Sequence, residues 1–221
     1  DPNQRREIYL SMNDTIAKLH NVDFDKVNLA DYGKHENYMD RQIHRWTKQY
    51  KDSETQMIPE INELIEWLPK NIPSDQETSI VHGDFRLDNM IFDPITHEVK
   101  AILDWELSTL GNPIADFTYH MMSWRLPAGA KGLGMMGSDL KSLNIPSENE
   151  YAELYYKKTG REKIDNWDFY MAYNIFRLAG IAQGIVGRVR DGTASSSEAK
   201  NYEAFVPILG KLGWSIVEGI N

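Results

Sequence analysis

Residues 82–89 read HGDFRLDN and lie between two short apolar runs, Ile80-Val81 and Met90-Ile91-Phe92. His82 stands two positions before Asp84, Asn89 follows five after it, and Asp104 closes the next apolar stretch in ILDWE. This order has a logic for phosphoryl transfer. One carboxylate accepts or orients the proton of an attacking hydroxyl, while an amide oxygen and a second carboxylate hold the magnesium that neutralises the phosphates of ATP. Asp84 is the expected base, and Asn89 and Asp104 are the expected metal ligands. Arg86, two after the base, can offset charge in the transition state, or pair with Asp88 at the surface as exposed ions commonly do. Glu106 is either an outer group near the metal or an acid favoured at a helix start. A single Asp or Asn in a loop more often makes a turn or a cap. The ordered set is what turn chemistry alone does not produce.

Such a loop has to be held by regular elements. From Ser79 the pattern reads as three short strands, IV, MIF and EVKAIL, carrying two acidic loops and a DPITH turn. Helical spacing dominates elsewhere. Asp1-Pro2 offers a cap and a first-turn proline for a helix using Ile8, Met12, Ile16 and Leu19. Met39, Ile43, Trp46 and Tyr50 mark a second helix, and Ile58, Ile61, Leu64, Ile65 and Leu68 a third that Pro69 stops. Further helices are expected in IADFTYHMMSW, NEYAELYYKKTG, NWDFYMAYNIFRLAGIAQGIVGRVR and the closing stretch, where Ser195 and Glu198 have capping-box spacing. The expected fold class is α+β and mostly helical, with a small β-hairpin insertion carrying the catalytic and metal loops.

Composition narrows the function classes. The 221 residues are 41% hydrophobic and 26% charged, as in globular proteins that bury a core. A net charge of −9 argues against nonspecific binding to nucleic acid or an anionic membrane. The absence of cysteine excludes thiolate chemistry and disulfides. No apolar run approaches the ~18 residues of a membrane span, and DPNQRREIYL lacks the pattern of a signal peptide. A cytoplasmic protein is expected.

The segments HGDFRLDN, ILDWE and GNPIADF together resemble the aminoglycoside phosphotransferase and choline kinase-like branch of the protein kinase-like fold. The family's His-x-Asp followed by Asn is matched at His82, Asp84 and Asn89, and its metal-binding Asp at Asp104. The resemblance further implies that Asp116 braces the catalytic loop from a following helix and that His82 is also a brace. LADYGKHENYMDRQIHRWTKQY, IEWLP, DWELSTLGNPIADF, NWDFYMAYNIFRLAGIAQG and GTASS extend it to the subgroup associated with acyl-CoA dehydrogenases. That implies ATP as phosphate donor, Mg2+ as cofactor, a small hydroxylated metabolite such as a hydroxyacyl-CoA as acceptor, and an acyl-CoA dehydrogenase domain or partner.

The kinase-like fold also has an N-terminal lobe with a phosphate-covering loop and a strand lysine. Nothing before Ser79 reads as such a sheet, so residues 1–221 are expected to be the C-terminal lobe alone, with little activity by themselves. Gly132-Leu133-Gly134-Met135-Met136-Gly137 fits Gly-x-Gly-x-x-Gly, but no strand precedes it and it follows the catalytic loop, so a phosphate-binding turn is not expected there. Trp124, Arg125, Arg177 and Gln183, with Arg188 and Arg190, are candidates for an acyl or CoA pocket, although aromatic and Arg side chains at helical spacing more often pack or meet solvent. Two other readings compete with a kinase. One is a noncatalytic module of the same fold that binds an acyl-CoA or a protein. The other is a metal-dependent phosphoesterase using His82, Asp84, Asp104 and Asp116, with His97 or His120 nearby.

Overall fold

A computed structural model describes residues 1–74, 77–128, 134–162, 166–193 and 202–219. Among these, the helices are α1 (Pro2–His20), α2 (Tyr38–Ser53), α3 (Pro59–Trp67), α4 (Pro113–Met121), α5 (Leu140–Leu143), α6 (Glu148–Thr159), α7 (Trp167–Arg190) and α8 (Tyr202–Glu218). The strands are β1 (Ser79–Val81), β2 (Met90–Phe92), β3 (Val99–Ile102) and β4 (Thr109–Gly111). The architecture is α+β and mostly helical. No helix among the described residues is long and apolar enough to cross a membrane.

The chain folds into two compact units interleaved in sequence, Asp1–His35 with Gln76–Asp165, and Glu36–Asp75 with Asn166–Asn221. The second unit is helical: α7 packs against α2 and α8, and α8 against α3. The candidate chemistry lies in the first unit. There α1 begins at the Asp1 cap, whose carboxylate accepts from the Asn3 and Gln4 N–H groups, with Gln4 completing the capping box. Met12, Ile16 and Ala17 of α1 enter the core, and α1 packs on α6 and on β1.

The strands form two antiparallel pairs rather than one sheet. β2 and β3 make the expected hairpin, Met90 facing Ile102 and Ile91 facing Ala101. β1 pairs instead with β4, Val81 facing Thr109. β4 is the one strand sequence reading did not anticipate; at three residues it is too short to show a period of two. Among its described residues the segment 126–147 contains α5 and two bridges, Pro127 to Met136 and Ala128 to Gly134. Gly132, Leu133, Ser195 and Glu198 lie outside the described residues, so neither the full glycine motif nor the expected capping box of the last helix is seen.

Aromatic rings fill the core of the first unit. Phe117 stacks on Tyr155 at 3.9 Å, and His120 meets Tyr151, Trp124 and Phe85. Burial lowers the pKa of His120 to about 4, while its Nε2 lies 2.9 Å from the Tyr151 hydroxyl. In the unfolded chain this imidazole titrates near its ordinary ~6.5, so between there and the folded value only the unfolded state takes up the proton. Stability is therefore full above about pH 6.5 and declines on acidification toward pH 4, by about 3 kcal/mol from this group. Denaturant unfolding at intervals across that range checks it, with His120→Gln expected to flatten the slope. Equal stability at both ends would refute it.

Candidate active site

The 82–89 loop leaves β1 at Val81 and enters β2 at Met90, and its shape is dictated by a few residues. Gly83 has φ +84°, and a Cβ there would lie 2.7 Å from the Leu107 carbonyl oxygen and 2.9 Å from the Leu107 Cβ, so both the turn and the close approach require glycine. Phe85 is fully buried and anchors the loop. Leu87–Asn89 then form a single tight helical turn that delivers Asn89 to the start of β2.

Asp84 is gripped at both carboxylate oxygens. The Tyr119 hydroxyl donates to Oδ1 at 2.7 Å, and the Asn89 side-chain amide donates to Oδ2 at 2.9 Å and to the Asp84 carbonyl at 2.9 Å. Arg86 Nε is 3.5 Å from Oδ2, and the same guanidinium lies 3.7 Å from Asp88, so the two alternatives weighed for Arg86 coexist. With its N–H2 turned to Asp84, the Asn89 amide oxygen has no hydrogen-bond partner among the described residues.

Asp104 is brought to this loop through its neighbour. The Leu103 N–H donates to the Asn89 carbonyl at 2.8 Å. The Leu103 carbonyl accepts from His82 Nε2 at 2.9 Å, while His82 Nδ1 accepts from the Asp84 N–H at 3.2 Å. One imidazole thus ties the loop that carries Asp84 to the residue before Asp104. Asp104 adopts a left-handed conformation, φ 64° and ψ 56°, tolerated by Asp better than by most residues. It turns the chain out of β3 into the tight turn Trp105–Leu107. Its carboxylate and that of Glu106 are exposed, and neither has a hydrogen bond or ion pair among the described residues. The Asn89 amide oxygen and the Asp104 carboxylate are hard, unengaged oxygen donors, the type that suits Mg2+, which typically takes one or two protein ligands and completes its shell with phosphate and water.

Asp116 holds the loop from beneath. It is the fourth residue of α4, buried, and its two oxygens accept from the backbone N–H of His82 and of Gly83, each at 2.8 Å. His20 Nε2 lies 3.2 Å from the same carboxylate, and its Nδ1 lies 2.7 Å from the Tyr155 hydroxyl. Burial lowers the pKa of His20 and raises that of Tyr155. The consistent arrangement is a phenol donating to a neutral imidazole that donates to an ionised Asp116. Burial alone would push the Asp116 carboxyl up, but the bonds from His20 and the two backbone amides outweigh it and hold it below the usual range. Tyr119, His20 and Tyr155 were not singled out from sequence. The signal that could have found Tyr119 is its position three residues after Asp116, on the same face of α4.

The residues suggested for substrate contact are engaged internally. Trp124 is buried and its indole N–H donates to the Pro146 carbonyl at 2.9 Å. Arg125 is paired with Glu148, 2.7 Å at the closest oxygen. Arg177 and Gln183 belong to the second unit: Arg177 is buried with its guanidinium 5.3 Å from the Trp46 ring centre, and Gln183 donates to the Ser53 carbonyl at 2.6 Å. Arg190 pairs with Asp191 at 2.8 Å, and Arg188 lines a cleft with Arg45 and Lys48. The histidines that a phosphoesterase would recruit are elsewhere occupied, His97 with Glu7 at 2.6 Å and His120 in the aromatic core. Among the described residues no three His, Cys, Asp or Glu side chains are grouped to hold a metal.

The model of the phosphotransferase enzyme family matches residues 1–153, which include the loop, Asp104, Asp116 and Tyr119. Acyl-CoA dehydrogenase family member 10 of Mus musculus is 44% identical over 215 residues, 97% of this chain and 20% of that protein. Acyl-CoA dehydrogenase family member 11 of Homo sapiens is 38% identical over 214 residues, 96% of this chain and 27% of its own length. The chain thus spans 20% to 27% of the length of these two relatives. A crystal structure from Ralstonia eutropha, described as an aminoglycoside phosphotransferase, superposes with a TM-score of 0.95 at 49% identity, covering 99% of this chain and 67% of that one. An aminoglycoside-3′-phosphotransferase of type VIII shares the fold, with a TM-score of 0.56 at 14% identity over 80% of this chain and 61% of its own. With the family's model matched over most of its length and a solved relative 49% identical across nearly all of it, the chain belongs to the phosphotransferase enzyme family.

Proposed function

We propose that this chain carries the catalytic loop of an ATP- and Mg2+-dependent kinase of a small hydroxylated molecule. The observation that carries the reading is the division of labour at the loop: both oxygens of Asp84 are held by donors, whereas among the described residues the Asn89 amide oxygen and the Asp104 carboxylate are left unengaged. Asp84 accepts the proton of the acceptor hydroxyl as that oxygen bonds to the γ-phosphorus and the bond to the ADP oxygen breaks. Arg86, half-exposed beside Asp84, would offset the charge of the transferred phosphoryl group. Asn89 and Asp104 would hold Mg2+, with Glu106 outside them; when bound, the ion supplies neutralisation of the phosphate charge. His82 and Asp116 keep the two loops in register. The acceptor class is suggested by the names of the relatives, acyl-CoA dehydrogenase family members, and a hydroxyacyl-CoA is the compound class we assign to it. An acyl-CoA dehydrogenase domain in the same polypeptide, or as a partner, is part of this reading, as are a single kinase-like lobe over residues 1–221 and a cytoplasmic site of action.

The test is calorimetric titration of Mg·ATP into the protein that carries this chain, with Asp104→Asn as comparison. Affinity is expected to fall at least about tenfold in the variant. Unchanged affinity would remove Asp104 from the metal site, and failure of the parent protein to bind at all would leave the noncatalytic binding module as the better account.

A further inference from the structure

The Asp116–Tyr119 spacing has a consequence for the base itself. From one face of α4, Asp116 takes the backbone N–H groups of His82 and Gly83 at 2.8 Å, and one turn later the Tyr119 hydroxyl reaches Asp84 Oδ1 at 2.7 Å. The same helix therefore fixes the loop backbone and, separately, the torsion of the side chain that the loop presents. α4 is itself rigidly placed: Asn112 caps it by accepting from the Ile114 and Ala115 N–H groups at 2.9 Å, Pro113 opens it, and every residue of the helix is buried. Asp84 sits on a loop and is only part-buried, so its χ angles are not determined by packing alone. Without Tyr119, Oδ1 would lose its donor and the carboxylate could swing about the Asn89 contact.

We infer that Tyr119 is a positioning residue for phosphoryl transfer, acting through Asp84 and not on the substrate. It sets which carboxylate lone pair remains free to accept the hydroxyl proton. The second donor, Asn89, is committed on its other side to the metal in the reading above, so it cannot hold the carboxylate orientation by itself once its oxygen is engaged. Tyr119 has no such second duty in the reaction. This inference rests on the kinase reading and sharpens it.

The experiment is a double-mutant cycle on the protein carrying this chain, using Asp84→Asn, Tyr119→Phe and the pair together, with hydroxybutyryl-CoA isomers as phosphoryl acceptors and ATP hydrolysis recorded alongside. Phe preserves the ring and its packing, and thermal melts of all four proteins check that the fold is kept. Tyr119→Phe is expected to lower kcat by about 10- to 100-fold, with KM for the acyl-CoA within about twofold, because only the orientation of the base has changed. In the Asp84→Asn background the same change is expected to have no further effect, since there is no basic carboxylate left to orient. Replacing Tyr119 with meta-fluorotyrosine, which keeps the O–H donor, should retain parental kcat. Equal losses from Tyr119→Phe in both backgrounds would make Tyr119 a structural residue and overturn the inference while leaving the kinase reading intact. An unchanged kcat in Tyr119→Phe alone would do the same. If transfer is undetectable in the parent or indifferent to Asp84→Asn, the kinase reading fails and the inference falls with it.

Discussion

Replacing Asp84 with Asn is expected to reduce phosphoryl transfer by about 100- to 10,000-fold while leaving affinity for Mg·ATP within a few-fold. The amide is nearly isosteric and can still accept from Tyr119 or Asn89, so the loop keeps its shape, held as it is by Gly83, the buried Phe85 and the backbone grip of Asp116. What is lost is a site that can take a proton. A steady-state assay that separates kcat from KM decides the matter. A loss confined to KM would mean that Asp84 binds the acceptor without acting as base, and no loss at all would place the chemistry on another residue.

The second large effect is on folding. Asp116→Ala is expected to destabilise the first unit by about 3–5 kcal/mol, because it strands the His82 and Gly83 N–H groups and one imidazole N–H in a buried setting. The sign with pH follows from the direction of the shift. A carboxyl held below its ordinary value in the folded state contributes its stability above the unfolded value of about 3.9, and that contribution is lost as pH falls below it. His20, pushed down by burial, acts in the same direction at higher pH: once the unfolded chain begins to protonate this imidazole below about 6.5, the folded state is penalised. Denaturant titrations of the parent and Asp116→Ala at about pH 7, 4 and 3 read both effects, that of His20 between the first two and that of Asp116 between the last two. A change at pH 7 smaller than about 1 kcal/mol would show that the backbone amides find another partner and that Asp116 is not the loop's anchor.

The consequence for activity differs between these two sites. In the proposed reaction Asp84 would matter only when a proton moves, whereas Asp116 matters whenever the loop must exist. Asp116→Asn, which keeps an acceptor oxygen but loses the charge, should therefore fall between the parent and Asp116→Ala in stability.

Local pattern and chemistry were legible from the sequence. The Asp1 cap and the proline at the start of α1, the apolar spacing of α2 and α3 and the hairpin of β2 with β3 all follow from short-range rules, and the structure places them where those rules point. Asp84, Asn89 and Asp104 stood out because their types and order carry the chemistry directly. The pairing of β1 with β4 did not, since a three-residue strand carries no readable period and its partner lies some thirty positions along the chain. Trp124, Arg125, Arg177 and Gln183 show the same gap from the other side: residue type suggested binding, and only the packed structure shows each committed to a neighbour.

The sequence by itself determined which groups are on offer for the proposed phosphoryl transfer and, through helix and hairpin periodicity, that they sit on loops between short strands. Tertiary structure decided which of those groups touch. Tyr119 and Asp84 are 35 positions apart, and His20 and Asp116 are 96 apart, yet each pair is within hydrogen-bond reach. Contacts of that separation depend on how α1, α4 and α6 pack around the loop, and packing is a property of the whole core that no local window of residues contains.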